Sequence, residues 1–115
     1  MKESVSGCPV EDAIRLLGGR WRIVLIYHLL DGKRRFSELR RAMPSISQRM
    51  LTLDLRALEK AGLLQRTVYP EVPPRVEYDL TEEGRRLREL VDLLGKVGTR
   101  LANVPQCAPV QKSAA

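Results

Sequence analysis

At 115 residues, 43% hydrophobic and 30% charged, the chain has room for one domain around one core, and this composition excludes wholesale disorder. No apolar run approaches the roughly 20 residues of a membrane span and no signal-peptide pattern opens the chain, so no membrane partner and a cytoplasmic location are expected. The net charge of +6 is unevenly placed: residues 33–75 hold ten basic and four acidic side chains and therefore carry all of it. A basic block within one domain is the footprint of a polyanionic ligand, with solubility as its plainer use.

Residues 9–17 (PVEDAIRLL) place Pro9 in a first turn, Glu11 and Asp12 after it, and Ala13, Leu16 and Leu17 at helical spacing, which predicts a short first helix. Gly18 and Gly19 end it. Residues 20–30 (RWRIVLIYHLL) are apolar nearly all round and predict a central buried helix closed by Asp31 and Gly32. In the next segment Phe36, Leu39 and Met43 share one helical face before Pro44, giving a third, short helix.

A fourth helix runs to about Ala61, with Gly62 at its stop. Ser45, with Gln48 three residues on, and Ser47 both offer an N-cap, and Ser47 is preferred. Leu51, Leu55 and Leu58 form an inward stripe, while Arg49, Thr52, Leu53, Arg56 and Lys60 lie round the opposite side.

Residues 64–69 and 75–80 are rich in β-branched and aromatic side chains or alternate apolar with acidic, and predict a two-stranded hairpin. Its connection contains Pro70, Pro73 and Pro74, so it should project as a stiff loop. Thr81 caps a long last helix, in which Leu87, Leu90, Val91, Leu94, Val97 and Leu101 form a stripe longer than so small a domain covers alone. A partner subunit is the expected cover. From Ala102 the composition shifts to a tail rich in Pro, Gln, Ala and Ser, giving a domain over 8–101 and a flexible segment over 102–115.

The fold class expected is mainly α with a small β-hairpin, in the element order of a winged helix-turn-helix. In that arrangement the second helix of the motif enters the major groove, which selects Ser47, Gln48, Arg49, Thr52, Leu53 and Arg56 for the base edges of double-stranded DNA. Arg40, Arg41 and Lys60 suit phosphates, and Arg75, beside Pro73 and Pro74 at the wing tip, suits a minor-groove or phosphate contact. Arg66 is a weaker candidate. Each arginine taken singly could equally be a solvated surface residue.

The segments CPVEDAIRLLGGRW and RRFSELRRAMPSISQRMLTLDLRALEKAGLLQRTVYPEVPPRVEYDLTEEGR resemble the HxlR-type transcriptional regulators, through the CPVE start and the YPEVPPRVEY wing above all. The resemblance covers nearly all of residues 8–98 and departs after Leu94, where this chain reads GKVGTRL. It implies a winged helix-turn-helix homodimer paired through its first and last helices and binding operator DNA. A symmetric dimer is expected to act on a pseudo-palindromic operator, and the role expected is that of a repressor. It also implies that Cys8, the cysteine of the CPVE motif, is a thiol switch responding to an oxidant, a quinone or another small-molecule inducer, with a disulfide to Cys107 of the other subunit as the specific hypothesis.

The alternatives are a small-ligand-responsive regulator of the same fold with inert cysteines, and a winged-helix module for protein association. The residues argue against an enzyme. His28, the only histidine, falls within an apolar helix, and no phosphate loop, nucleophile elbow, cofactor signature or metal-ligand spacing is present.

Overall fold

The computed structural model describes residues 7–103. Its elements are α1 (Pro9–Leu17), α2 (Arg22–Leu29), β1 (Arg34–Arg35), α3 (Phe36–Ala42), α4 (Gln48–Lys60), β2 (Leu64–Tyr69), β3 (Arg75–Leu80), α5 (Glu82–Arg85) and α6 (Arg88–Ala102). The fully buried side chains are aliphatic: Leu25, Ile26 and Leu29 from α2, Leu39 from α3, Ile46 from the turn, Leu51, Leu55 and Leu58 from α4, and Leu80. Trp21, Phe36 and Tyr78 pack partly buried at the edge of this cluster. Tyr27, by contrast, is exposed, so α2 is not buried all round.

The hairpin lies at the expected strands, with Leu64 opposite Leu80 and Tyr69 opposite Arg75. The sheet nonetheless has three strands, in the order β1-β3-β2, because Arg34 and Arg35 pair antiparallel with Tyr78 and Glu77. This pairing anchors the start of α3 to the wing. Glu38 then accepts a hydrogen bond from the Arg35 N–H at 2.8 Å, which satisfies one donor at the α3 N-terminus.

The long last helix is divided. Thr81 caps α5 as expected, its Oγ1 accepting from the Gly84 N–H at 3.1 Å while donating to the Gly62 carbonyl at 2.6 Å. The Leu87 N–H reaches back only three residues, to the Gly84 carbonyl at 3.1 Å, and the helix breaks there before α6 begins. The break turns Leu87 against the core and buries Val91 within it. Those two residues are therefore covered by their own chain, contrary to the expectation of a partner over the whole stripe. Leu90, Leu94, Val97 and Leu101 remain exposed along α6, with Leu93 beside them and Val10 and Ile14 exposed on α1. Helix α6 continues through Ala102 with Asn103 as its cap, one residue into the segment expected as a tail. The rest of that segment, Cys107 included, lies outside the described residues.

Candidate nucleic-acid interface

Helices α3 and α4 and the turn between them form the helix-turn-helix, and the chemistry of the turn sets where α4 starts. Met43 ends α3, Ile46 plugs the core, and the Ser47 Oγ accepts from the Met50 N–H at 3.0 Å. Ser47, not Ser45, is thus the N-cap. Leucines 51, 55 and 58 are buried on one side of α4, and Arg49, Leu53, Arg56 and Lys60 are exposed on the other.

The candidate contact residues differ in how committed their side chains already are. Arg41, Arg49, Arg56 and Lys60 form no ion pair among the described residues. Arg40 reaches across the turn and donates to the Gln48 Oε1 at 3.4 Å, which leaves the Gln48 amide nitrogen as its available donor. The Thr52 hydroxyl donates to the Gln48 carbonyl at 3.0 Å, so it can offer a DNA base a lone pair but not its proton. Arg66 is held by Glu59 at 3.8 Å.

Arg75 is the most engaged of the candidates. Expected to suit a minor-groove or phosphate contact, its side chain is 31% exposed and pairs with Glu71 at 3.2 Å and Glu77 at 3.9 Å. Its guanidinium also stacks 4.0 Å from the centre of the Tyr69 ring. Two carboxylates and an aromatic face attract the same cation, so the side chain closes the base of the loop. Lys33 lies 3.6 Å from the other oxygen of Glu77, extending this charge network from the wing to β1.

Two residues near α4 escape a reading of the sequence. Asp54 is buried on the inner side of the helix and accepts from the Arg22 Nε at 3.2 Å. Tyr78, on β3, has its phenol pKa raised, mainly by burial and further by Glu59, with Arg66 and Arg56 opposing. Its phenol stays neutral at physiological pH and can donate a hydrogen bond. Asp54 is hard to find because a lone acid between leucines reads as a surface residue; only its position on the buried stripe, three residues after Leu51, signals otherwise.

Cys8 is exposed at the N-cap position of α1, where its carbonyl accepts from the Asp12 N–H at 2.9 Å. Among the described residues no group of three or more His, Cys, Asp or Glu side chains is arranged to hold a metal ion. No described helix is long and apolar enough to cross a membrane.

A cationic helix presented by a helix-turn-helix, flanked by a β-hairpin with a braced loop, defines a winged helix-turn-helix protein of the transcriptional-regulator class. The chain belongs to the HxlR-like helix-turn-helix family, whose profile matches residues 16–105. It is 58% identical over 85 residues to the HTH-type transcriptional regulator YybR of Bacillus subtilis (strain 168), covering 74% of this chain and 68% of that protein. Among solved structures, the redox regulator HypR in its reduced form superposes with a TM-score of 0.80 at 50% identity, over 84% of this chain and 95% of that one. The reduced form of the transcriptional regulator YodB from B. subtilis does so with a TM-score of 0.74 at 36% identity, over 88% and 100% of the two chains.

Proposed function

We propose that the chain is a repressor that binds a pseudo-palindromic operator as a homodimer, reads base edges with α4, and is released or reset through the thiol of Cys8. The observation that carries the DNA reading is the exposed face of α4, where Arg49, Arg56 and Lys60 stand without acidic partners among the described residues. Arg49 and Gln48, in the first turn, suit guanine and adenine edges, with Leu53 placed for a thymine methyl. Arg41, Lys60 and Arg40 then fix register on phosphates. Selection of bound duplexes from random DNA, followed by footprinting, tests this. Two protected half-sites one helical turn or a multiple apart are expected, and a single unpaired half-site would contradict the symmetric dimer.

The dimer reading rests on the apolar row Leu90, Leu94, Val97 and Leu101, exposed on a helix that projects past the core, together with Val10 and Ile14 on α1. Leu94→Glu should give monomers in sedimentation and lose operator affinity with them.

The switch reading is supported by two similar structures, the redox regulator HypR in its oxidized form and the diamide-treated YodB, and by the exposure of Cys8. Two thiols, Cys8 of one subunit and Cys107 of the other, would give two protons and two electrons to an oxidant such as diamide and form one S–S bond. Non-reducing gels decide the pairing. A crosslink that survives Cys107→Ser at full yield overturns it, and operator affinity that is unchanged by diamide overturns the switch.

A further inference from the structure

Asp54 is the one charged side chain that is buried among the described residues, 6% exposed, and it sits on the helix proposed to read DNA. Its carboxylate accepts from the Arg22 Nε at 3.2 Å, and the same guanidinium donates through Nη1 to the Leu16 carbonyl at 2.7 Å. Leu16 belongs to the last turn of α1 and Arg22 is the first residue of α2. One planar group therefore joins three helices: the end of α1, the start of α2 and the middle of α4.

Packing alone does not require this arrangement. Desolvating two charges offsets most of their attraction, and an apolar pair of similar volume generally fills such a site with equal or greater stability. A directional contact does what leucines do not. The rest of the buried face of α4 is Leu51, Leu55 and Leu58, and a set of like aliphatic side chains keeps a helix in the core without holding one rotation uniquely. A carboxylate and a carbonyl held by one rigid guanidinium plane leave the helix few good orientations. At 100° per residue Asp54 lies roughly 160° round the helix from both Thr52 and Arg56, so whatever holds Asp54 holds the opposite face. Rotating a helix of about 5–6 Å radius by roughly 10° moves its outer side chains by about 1 Å, enough to spoil a bidentate contact with a base.

We propose that Arg22 and Asp54 are positioning residues for base readout: the guanidinium clamps the rotation of α4 against the α1–α2 junction, and sequence discrimination depends on that clamp. The proposal rests on the reading of α4 as the helix that contacts bases.

The test compares the full chain with Arg22→Met/Asp54→Leu, binding each to the duplex selected by the parent protein and to a scrambled duplex of equal length, over a salt series. The double variant is expected to melt within a few degrees of the parent and to keep the salt slope, since no phosphate contact is removed, while the ratio of specific to scrambled affinity falls at least tenfold. Arg22→Lys covers the case in which the double variant fails to fold. It retains the charge but lacks the fork that serves carboxylate and carbonyl together, and the same loss of ratio is expected. A folded double variant, or Arg22→Lys, with the parent's ratio would overturn the clamp. If the parent has no sequence preference, or keeps it in Arg49→Ala, the reading of α4 itself falls instead.

Discussion

Arg75 and Tyr69 face each other across the loop end of the β2–β3 hairpin, the guanidinium 4.0 Å from the ring centre. The contact joins the two ends of the 70–74 loop, and Glu71 and Glu77 hold the same guanidinium from the loop and from β3. The wing is thus braced before any ligand arrives. A cation–π contact at a partly exposed site contributes about 1 kcal/mol, so Tyr69→Ala and Arg75→Ala should each lower Tm by roughly 4–8 °C in a domain of this size. The double variant should lose clearly less than the two single losses added together. Strictly additive melts would assign the stability to the separate side chains and not to their contact.

The cations of α3 and α4 should behave differently from Arg75 in a salt series. Each phosphate contact removed lowers the slope of log K against log salt by about 0.9. Lys60→Ala and Arg41→Ala should therefore weaken every duplex alike and flatten the slope by about one. Arg49→Ala should instead cost about 1–3 kcal/mol at one base position and relax preference there. Arg75→Ala, whose charge already meets two carboxylates, should leave the slope nearly as it is. A slope change in Arg75→Ala equal to that of Lys60→Ala would show that the guanidinium leaves its acidic partners for the phosphate backbone.

The elements legible in the sequence are those whose signals are local. The Ser47 cap, the boundaries of both hairpin strands and the aliphatic core all follow from side-chain type and spacing within a few residues. What escapes depends on partners far along the chain. Strand β1 is two arginines long, with no periodicity to detect, and exists because β3 offers it an edge. The break at Leu87 serves a core contact of Val91 that helical spacing alone does not reveal. Asp54 has the composition of a surface residue, and Arg22 neutralises it from 32 residues away. The basic block selects the candidate interface, but the count of charges does not say which cations are already occupied.

Two glycines of the last helical segment should respond oppositely to the same substitution. Gly84 is buried at the start of α5, where a Cβ would overlap the Leu63 carbonyl oxygen and touch Leu80. The clash is with backbone that also accepts from the Thr81 N–H at 3.0 Å, so it has little freedom to retreat. Gly84→Ala should cost about 1–3 kcal/mol, as overpacking does. At Gly95, within α6, an added methyl would meet no atom within 4 Å, and Gly95→Ala should stabilise by up to about 1 kcal/mol through helix propensity. Thermal melts of the two variants check both signs, and a loss in Gly95→Ala would mean that another surface approaches α6 there.

His28 should make stability depend on pH in the window just below neutrality. Burial at the end of α2 lowers its pKa below 6.5, Arg34 lowers it further, and Asp31 partly offsets them. The unfolded chain therefore binds a proton first as pH falls, so stability drops from about pH 6.5 down to the folded-state pKa and then levels, as far as this group is concerned. No other histidine is present to share the effect. His28→Gln should flatten the dependence of Tm between pH 7 and pH 5, and Arg34→Gln should move the imidazole titration upward towards its ordinary value when followed by NMR. A histidine titrating above 6.5 in the folded protein would reverse the sign and place a carboxylate, with Asp31 the nearest in sequence, as the dominant neighbour in place of burial and Arg34.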